Sequence, residues 1–172
     1  LAGGGLMLEL TLPTSVLGQD LGTLVGSKEL NVYVQIASDG KITIYSANPE
    51  MGQGIKTSLP MIIAEEMGAK WEDVVVLQAP INASKYGLQG AGGSTSIPRN
   101  FDMMRQMGAS AREMLIGAAS ESMEVERQDL TAQESTVVHT SGQSLTFGEL
   151  AALAVRQPIP DPATLSYKDP RA

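Results

Sequence analysis

The amino-acid sequence predicts an α+β fold in which a small mixed sheet has its helices packed on one face. Two segments of alternating polarity flank Asp39-Gly40, a pattern typical of a β-hairpin. Two helix-like segments follow, separated by one β-branched run, and a second hairpin and a short helix come after them. The predicted order is therefore ββαβα and then ββα. The 172 residues are enough for one such domain but not for two sizeable ones.

The three strands of the first unit are predicted from the pattern of their side chains. Residues 32–36 and 41–46 alternate β-branched or aromatic residues with polar ones, which favours strands with one face buried. Residues 73–77 lack this alternation and form a short apolar, β-branched run. We therefore expect a buried strand there.

The first helix is predicted over residues 55–69, where apolar residues recur at helical spacing. Thr57 or Ser58 is the expected N-cap, because a hydroxyl at that position accepts from the free N–H groups of the first turn. This start places Pro60 in the first turn, where its missing N–H breaks no helical hydrogen bond. Gly68 is expected to end the helix.

The second helix is predicted over residues 99–124, which carry small and apolar residues at three- and four-residue steps. A second hairpin is expected from residues 136–140 and 144–147, and Thr146 with Glu149 has the spacing of a capping box. Four methionines of the long helix are spaced for packing rather than for ligating a metal through sulfur: Met103, Met104, Met107 and Met114.

Both ends of the chain differ from the predicted domain of residues 25–157. Residues 1–24 form an irregular arm whose apolar, glycine-rich start is too short to cross a bilayer. That start has the character of the hydrophobic part of an export signal, or of an apolar arm that packs on a partner. Residues 158–172 contain four prolines, so we expect an extended linker or arm.

Composition excludes several classes of function. The formal net charge of −7 disfavours nucleic acid as a partner, because the phosphate backbone would be repelled. With no cysteine, this chain can hold neither a disulfide nor a zinc–thiolate site nor an iron–sulfur cluster. A single histidine makes a histidine-based metal site or catalytic triad unfavourable, and no metal ligands are predicted on this chain.

Two glycine-rich turns are the strongest functional signal, namely residues 51–54 (Met-Gly-Gln-Gly) and residues 90–96 (Gly-Ala-Gly-Gly-Ser-Thr-Ser). Each lies between a strand-like and a helix-like segment, so glycine backbone and helix N–H groups are directed at the same place. This pattern favours a large polar ligand that bears phosphate. From the residues alone, Gln53 binding its own loop and a serine–threonine N-cap without a ligand are the alternative interpretations.

Residues 48–60 and 85–96, which contain these turns, resemble the molybdenum-binding subunit of the xanthine oxidase family. Within that family the chain is most similar to isoquinoline 1-oxidoreductase beta subunits and membrane-associated aldehyde dehydrogenases. The resemblance extends over nearly the whole chain, including the apolar start and the proline-rich ending. It implies that this chain is one lobe of a molybdenum-cofactor-binding domain.

The resemblance also implies the cofactor and the residues that contact it. The first turn would lie against the pyranopterin dithiolene that chelates molybdenum, with the Gln53 amide directed at the cofactor. The second turn would surround the pterin or its phosphate, and the expected form of the cofactor is molybdopterin cytosine dinucleotide. The implied cofactor-binding residues are Met51, Gly52, Gln53, Gly54, Gly92, Gly93, Ser94, Thr95 and Ser96.

The activity implied by the resemblance is oxidation of an aldehyde or an N-heterocycle with water as the oxygen source. Nothing in this chain matches the family's catalytic glutamate, so no catalytic residue is assigned and the chain alone is expected to be inactive. The implied partners are the remaining molybdenum-binding lobes, an iron–sulfur subunit and a membrane-bound cytochrome subunit, in the periplasm. The alternative functions are a non-catalytic assembly domain and a generic nucleotide-binding module, although neither turn fits the Walker or dinucleotide-binding patterns.

Other polar residues are given structural interpretations. His139 is expected to be a surface or half-buried residue of a hairpin strand, and Tyr86 is a candidate to approach a substrate because it precedes the second turn. Four acidic residues are expected to face solvent, and none is assigned a catalytic role: Glu65, Glu66, Glu124 and Glu126.

Overall fold

The computed structural model describes residues 5–10 and 31–169. The strands are β1 (Gly5–Leu10), β2 (Asn31–Ala37), β3 (Ile42–Ser46), β4 (Val74–Gln78), β5 (Leu130–Gln133), β6 (Thr136–His139) and β7 (Ser144–Thr146). The helices are α1 (Ile55–Met67), α2 (Ala83–Tyr86), α3 (Ser96–Met123) and α4 (Phe147–Ala154). None of these helices is both long enough and apolar enough to span a bilayer.

The strands form two sheets. The first is mixed and has the order β1-β2-β3-β4, in which only β3 and β4 run parallel. Its parallel pair is joined through α1, as a crossover between parallel strands requires. The second sheet, β5-β6-β7, is antiparallel throughout. The α+β class, both predicted hairpins and the order ββαβα followed by ββα are confirmed.

Three elements were not predicted, and they add to that order without changing it. The strand β1 lies within the predicted N-terminal arm and pairs antiparallel with β2. The other unpredicted elements are β5 and the single-turn helix α2. Residues 11–24 of the arm lie outside the described residues, as do residues 170–172 of the predicted C-terminal arm.

One apolar core joins the first sheet to the helices. The register sets Val34 opposite Ile44 and Ile36 opposite Ile42, so these side chains share one face of the sheet. The largest side chains that are almost completely buried are Tyr33, Ile36, Ile42, Ile44, Leu59, Ile63, Met67, Met104, Leu115, Phe147 and Leu150. The four methionines of α3 are buried among them, which confirms that they serve packing.

The start of α1 differs from the predicted one. Gly54 is the N-cap residue, in the left-handed region with φ 80°, and neither Thr57 nor Ser58 caps the helix. Pro60 is consequently the sixth residue of α1 and lies inside the helix rather than in its first turn. The predicted end is confirmed, since Gly68 has φ 78° and its N–H donates to the Glu65 carbonyl.

Helices α1 and α3 approach each other through Gly108. A Cβ at Gly108 would lie 2.5 Å from the carbonyl oxygen of Ile63 and 2.7 Å from the Cβ of Glu66. No larger residue fits unless the helices separate. Both helices begin at a glycine-rich turn, so this contact also sets how far apart those two turns lie.

The strand β4 is less buried than predicted. It is the outer strand of its sheet, Val74, Val75 and Val76 are half-buried, and the Leu77 side chain is 44% exposed. The apolar run correctly identified a strand. It did not identify an edge position, because β-branched residues suit either location.

The expectation that Glu66 faces solvent is wrong. Its side chain is 3% exposed and accepts from Arg105 at 2.5 Å and from Arg112 at 3.2 Å. These groups also hold the C-terminal segment, because Glu66 accepts from the Lys168 N–H and Arg105 donates to the Lys168 carbonyl. Arg105 also lies over the ring of Tyr167, 5.1 Å from its centroid. The other three acidic residues, Glu65, Glu124 and Glu126, are exposed as predicted.

Candidate functional site

The two glycine-rich turns lie side by side, and Asn48 joins them. This residue precedes the first turn, is 3% exposed, and donates through Nδ2 to the carbonyl oxygen of Gly90 at 2.9 Å. Its Oδ1 lies 3.5 Å from Nδ2 of Asn100, on the first turns of α3. A second link runs from Gln89 Nε2 to the Ala47 carbonyl at 3.2 Å. The elements that carry the two turns are therefore bonded to each other directly.

The first turn is exposed along residues 51–54 and is braced by its own glutamine. Gln53 Oε1 accepts from the Met51 N–H at 2.6 Å, and its Nε2 donates to the Pro49 carbonyl at 2.9 Å. These are the bonds of the alternative interpretation, in which Gln53 binds its own loop. An amide has two N–H groups and two lone pairs, so Gln53 keeps one donor and one acceptor for another partner.

Glu50 closes the amino end of α1. Its Oε1 accepts from the N–H groups of Gly52 at 2.6 Å and Gly54 at 3.1 Å, and its Oε2 accepts from Lys56 at 3.0 Å. These bonds favour the carboxylate, so the N–H of Lys56 and then that of Gly54 hold the pKa of Glu50 below its usual value. The predicted unpaired N–H groups of this turn are thus largely occupied by the chain itself.

The second turn is open by comparison. Gly93 and Ser94 both have positive φ, 60° and 54°, so the backbone makes a tight turn here. This conformation is strained for serine. Thr95 is the N-cap of α3 but makes no side-chain bond to the helix, because its hydroxyl donates to the Gly92 carbonyl at 3.0 Å. Within residues 5–10 and 31–169, the N–H groups of Ser96 and Ile97 have no acceptor.

The open N–H groups of α3 are accompanied by free hydroxyls. Among the described residues, the Ser94 and Ser96 side chains make no hydrogen bond. No acidic residue lies in the first turn of α3. An anion placed there would meet neutral donors and the positive end of a helix of 28 residues. This end of the site is suited to a phosphate, whereas the first turn is suited to a neutral polar group.

The nine predicted site residues lie on these two adjacent turns. The Tyr86 side chain does not reach them, so it is not placed to contact a substrate there. Tyr86 is 4% exposed, and its ring packs edge-on against Tyr33 at 5.4 Å. Burial raises the pKa of the Tyr33 hydroxyl, which donates to the Tyr86 carbonyl. His139 is half-buried, as predicted, and contacts the hydroxyl of Ser141.

Three contributors to the site were missed from the sequence: Asn48, Glu50 and Asn100. An acidic residue four positions before an N-cap glycine is a readable signal for Glu50, because carboxylates are stabilised at helix amino ends. Asn48 and Asn100 carry no such local signal, since their partners are 42 and 52 residues away. In the described part of the chain, no group of three histidine, aspartate or glutamate side chains is arranged to hold a metal ion.

Comparison with known proteins gives concordant matches. The family model described as the molybdopterin cofactor-binding domain matches residues 11–171. The beta subunit of isoquinoline 1-oxidoreductase from Brevundimonas diminuta is 38% identical over 129 residues, which is 71% of this chain. The membrane-bound aldehyde dehydrogenase of Gluconacetobacter polyoxogenes, whose name includes pyrroloquinoline quinone, is 34% identical over 74% of this chain. This chain spans 16% of the length of each of these two relatives.

A solved structure is also similar to the fold. Quinoline 2-oxidoreductase from Pseudomonas putida 86 matches with a TM-score of 0.55 and 26% identity. The match covers 69% of this chain and 15% of that protein. The similarity therefore concerns one region of a much longer molecule.

Proposed function

This chain belongs to the molybdopterin cofactor-binding domain family, and from that premise we propose that it is the cofactor-binding lobe of a molybdenum hydroxylase. The reaction we assign to the whole enzyme is oxidation of an aldehyde or an N-heterocycle with water as the oxygen source. The names of two relatives, an isoquinoline oxidoreductase and an aldehyde dehydrogenase, support these two substrate classes.

One observation carries the proposal: the two turns are bonded side by side through Asn48, with unlike chemistry at their open ends. The second turn offers free N–H and hydroxyl groups to phosphate. The first turn offers a glycine surface without side chains, and the remaining donor and acceptor of Gln53, to a ring that is rich in N–H and C=O groups. A pterin that carries a phosphate contains both of these groups, the anion and the polar ring, in one molecule.

The described residues fit this group. A Cβ added at Gly52, Gly54 or Gly92 would have nothing within 4 Å, so the backbone there is open to a flat ligand. We assign the pterin to Met51, Gly52, Gln53 and Gly54, and the phosphate to Gly92, Gly93, Ser94, Thr95 and Ser96. When bound, the cofactor supplies the metal centre and its redox chemistry, and this chain's residues bind and orient it. We propose the cytosine dinucleotide form, whose second phosphate would also require the neutral donors of the second turn.

Catalysis is assigned to other parts of the enzyme, and no catalytic residue is placed on this chain. The chain has no cysteine, so we place the iron–sulfur clusters on a partner subunit. The remaining molybdenum-binding lobes, a membrane-bound cytochrome subunit and a periplasmic location complete the proposal. The name of one relative, a membrane-bound aldehyde dehydrogenase, supports an association with a membrane, whereas the cytochrome subunit and the periplasmic location follow only from the family resemblance.

The direct test is the chemical identity of what the assembled native enzyme contains. Mild denaturation followed by mass spectrometry of the released small molecules, with metal analysis of the intact enzyme, should give molybdenum and molybdopterin cytosine dinucleotide. Molybdopterin without cytidine would correct only the form of the cofactor. Pyrroloquinoline quinone alone, another nucleotide, or no ligand would contradict the proposal.

Variants of the turns test the assigned residues. Gly93→Val should lower molybdenum occupancy strongly, because a side chain would obstruct the close approach of backbone to phosphate. The matched control is Gly142→Val in the β6–β7 turn. That glycine also has positive φ and no crowding, so the backbone strain is similar but no ligand is near. Gln53→Ala should lower occupancy with a modest loss of stability. Unchanged occupancy in both turn variants would refute the assignment.

A further inference from the structure

We propose that Glu50 is a positioning residue. It holds the turn of residues 51–54 in its binding conformation, and its negative charge directs the anionic part of the ligand to the second turn. The inference rests on the proposed function, since it concerns how the same cofactor is oriented. Glu50 lies in the segment 48–60 that resembles the family, but it is not among the predicted site residues and no role was assigned to it.

The argument begins with the span of the carboxylate. Its two oxygens bond N–H groups from Gly52 to Lys56, so one side chain connects the start of the turn to the first turn of α1. Hydrogen bonds from backbone N–H groups to a carboxylate are among the stronger ones in proteins. The side chain therefore acts across the whole length of the turn.

Apart from the bonds at the start of α1, the described residues provide few other restraints on this turn. Residues 51–54 are exposed, and no atom lies within 4 Å of a Cβ built at Gly52 or Gly54. Both glycines have positive φ, 96° and 80°, and glycine populates many other conformations at little cost. Glu50 and the two bonds of the Gln53 amide therefore hold residues 51–53, while the Gly54 carbonyl accepts from Thr57 and Ser58 at the start of α1.

Restraint and affinity are linked by population. When only a fraction of the molecules has the binding conformation, the apparent dissociation constant rises by the inverse of that fraction. Loss of the three bonds to Glu50 should reduce that fraction. The turn would still be present in the chain, but it would offer a displaced Gln53 and a displaced backbone to the ring.

The charge of Glu50 has a second consequence. A carboxylate already occupies the amino end of α1, so a phosphate there would lose its donors and meet a like charge. The amino end of α3 has no acidic residue in its first turn. This difference gives the cofactor one orientation, with the phosphate on the second turn and the ring on the first.

The test compares Glu50→Ala and Glu50→Gln with a matched helix cap, Glu149→Ala, in the assembled holoenzyme. Glu149 also accepts from backbone at a helix amino end, at 2.7 Å from the Thr146 N–H, and is equally exposed. Its helix lies near Gly40, beyond the opposite end of β3 from the candidate site. Molybdenum retained at equilibrium over a dilution series gives the apparent dissociation constant of the cofactor, and thermal unfolding of the cofactor-free assembly is measured in parallel.

We expect Glu50→Ala to raise the apparent dissociation constant of the cofactor roughly tenfold, because fewer molecules have the binding conformation. Glu50→Gln keeps the oxygen that accepts from Gly52 and Gly54, so its dissociation constant should be intermediate. Glu149→Ala should bind cofactor as tightly as wild type, although both alanine variants lower the melting temperature of the cofactor-free form.

A dissociation constant of Glu50→Ala within about twofold of the Glu149→Ala value would overturn the inference, because helix capping alone would then explain both variants. Should Glu50→Ala fail to assemble, a wild-type dissociation constant in Glu50→Gln would overturn it equally. A wild-type enzyme that contains no molybdenum or pterin would instead refute the proposed function, which keeps the two failures distinct.

Discussion

Substitution of Gly108 by alanine is the sharpest test of how the helices set the site. The new Cβ would lie 2.5 Å from the Ile63 carbonyl oxygen and 2.7 Å from Glu66 Cβ. Non-bonded atoms need about 3.5 Å, so α1 and α3 must separate by about 1 Å. The obstacle is the backbone of α1, which no side-chain rotation can remove.

The size of the effect follows from two opposing contributions. Overpacking of this kind costs about 1–3 kcal/mol, whereas alanine gains about 1 kcal/mol over glycine inside a helix. We expect a net destabilisation of up to about 2 kcal/mol, and a melting temperature lower by roughly 2–4 °C for each kcal/mol in a chain of this size. Cofactor content of the assembled enzyme should fall too, because both helices begin at the glycine-rich turns.

The assay is urea unfolding followed by circular dichroism, with Gly117→Ala as the matched control in the same helix. A Cβ at Gly117 would meet only the ends of the Arg127 and Gln157 side chains, which can move away. This control should be neutral or stabilised by up to about 1 kcal/mol. If Gly108→Ala were as stable as Gly117→Ala, the close approach of α1 and α3 could not be what sets the spacing of the two turns.

Two further predictions concern buried polar groups. Glu66→Ala should lower the free energy of unfolding in urea by about 3–5 kcal/mol, because it leaves the buried Arg112 without its carboxylate. Glu65→Ala removes an exposed ion pair and should lower it by less than about 1 kcal/mol. Equal losses in the two variants would contradict the buried cluster. Tyr33→Phe should remove a dependence on alkaline pH. The folded pKa of Tyr33 is raised by burial above the unfolded value of about 10, so its contribution is complete below pH 10 and is lost as pH rises through the folded value. Unfolding free energies measured from pH 8 to pH 11 should therefore decline less steeply in the variant, and identical slopes would refute the assignment.

The glycine-rich turns and the order of the main elements were accessible from the sequence. Asp39-Gly40, Gly68 and the pair Thr146 and Glu149 each act over a few residues, and the structure has a hairpin, a helix end and a capping box at these positions. The short helix α2 also had local signals that were overlooked. Asn82 caps it through Oδ1, and Gly87 ends it.

The hairpin between β5 and β6 shows a different kind of miss. Its two turn residues, Glu134 and Ser135, both have positive φ, which a tight hairpin of this type requires but which these residue types seldom adopt. Ser135 is held there by distant groups, since its N–H donates to the Gly68 carbonyl and its hydroxyl accepts from the Lys70 N–H. No local pattern encodes this turn.

The candidate site divides in the same way. The sequence by itself determined where the chain turns on glycine and which helix follows each turn, because glycine freedom, caps and periodicity act between near neighbours. Only the tertiary structure decided that Asn48 joins the two turns and that Glu66 is buried between arginines. Glu50 bonds groups two to six residues away, so its role had a local signal that was overlooked. Asn48 and Glu66 find their partners tens of residues away, where a bond forms only after the core has brought α1 and α3 together.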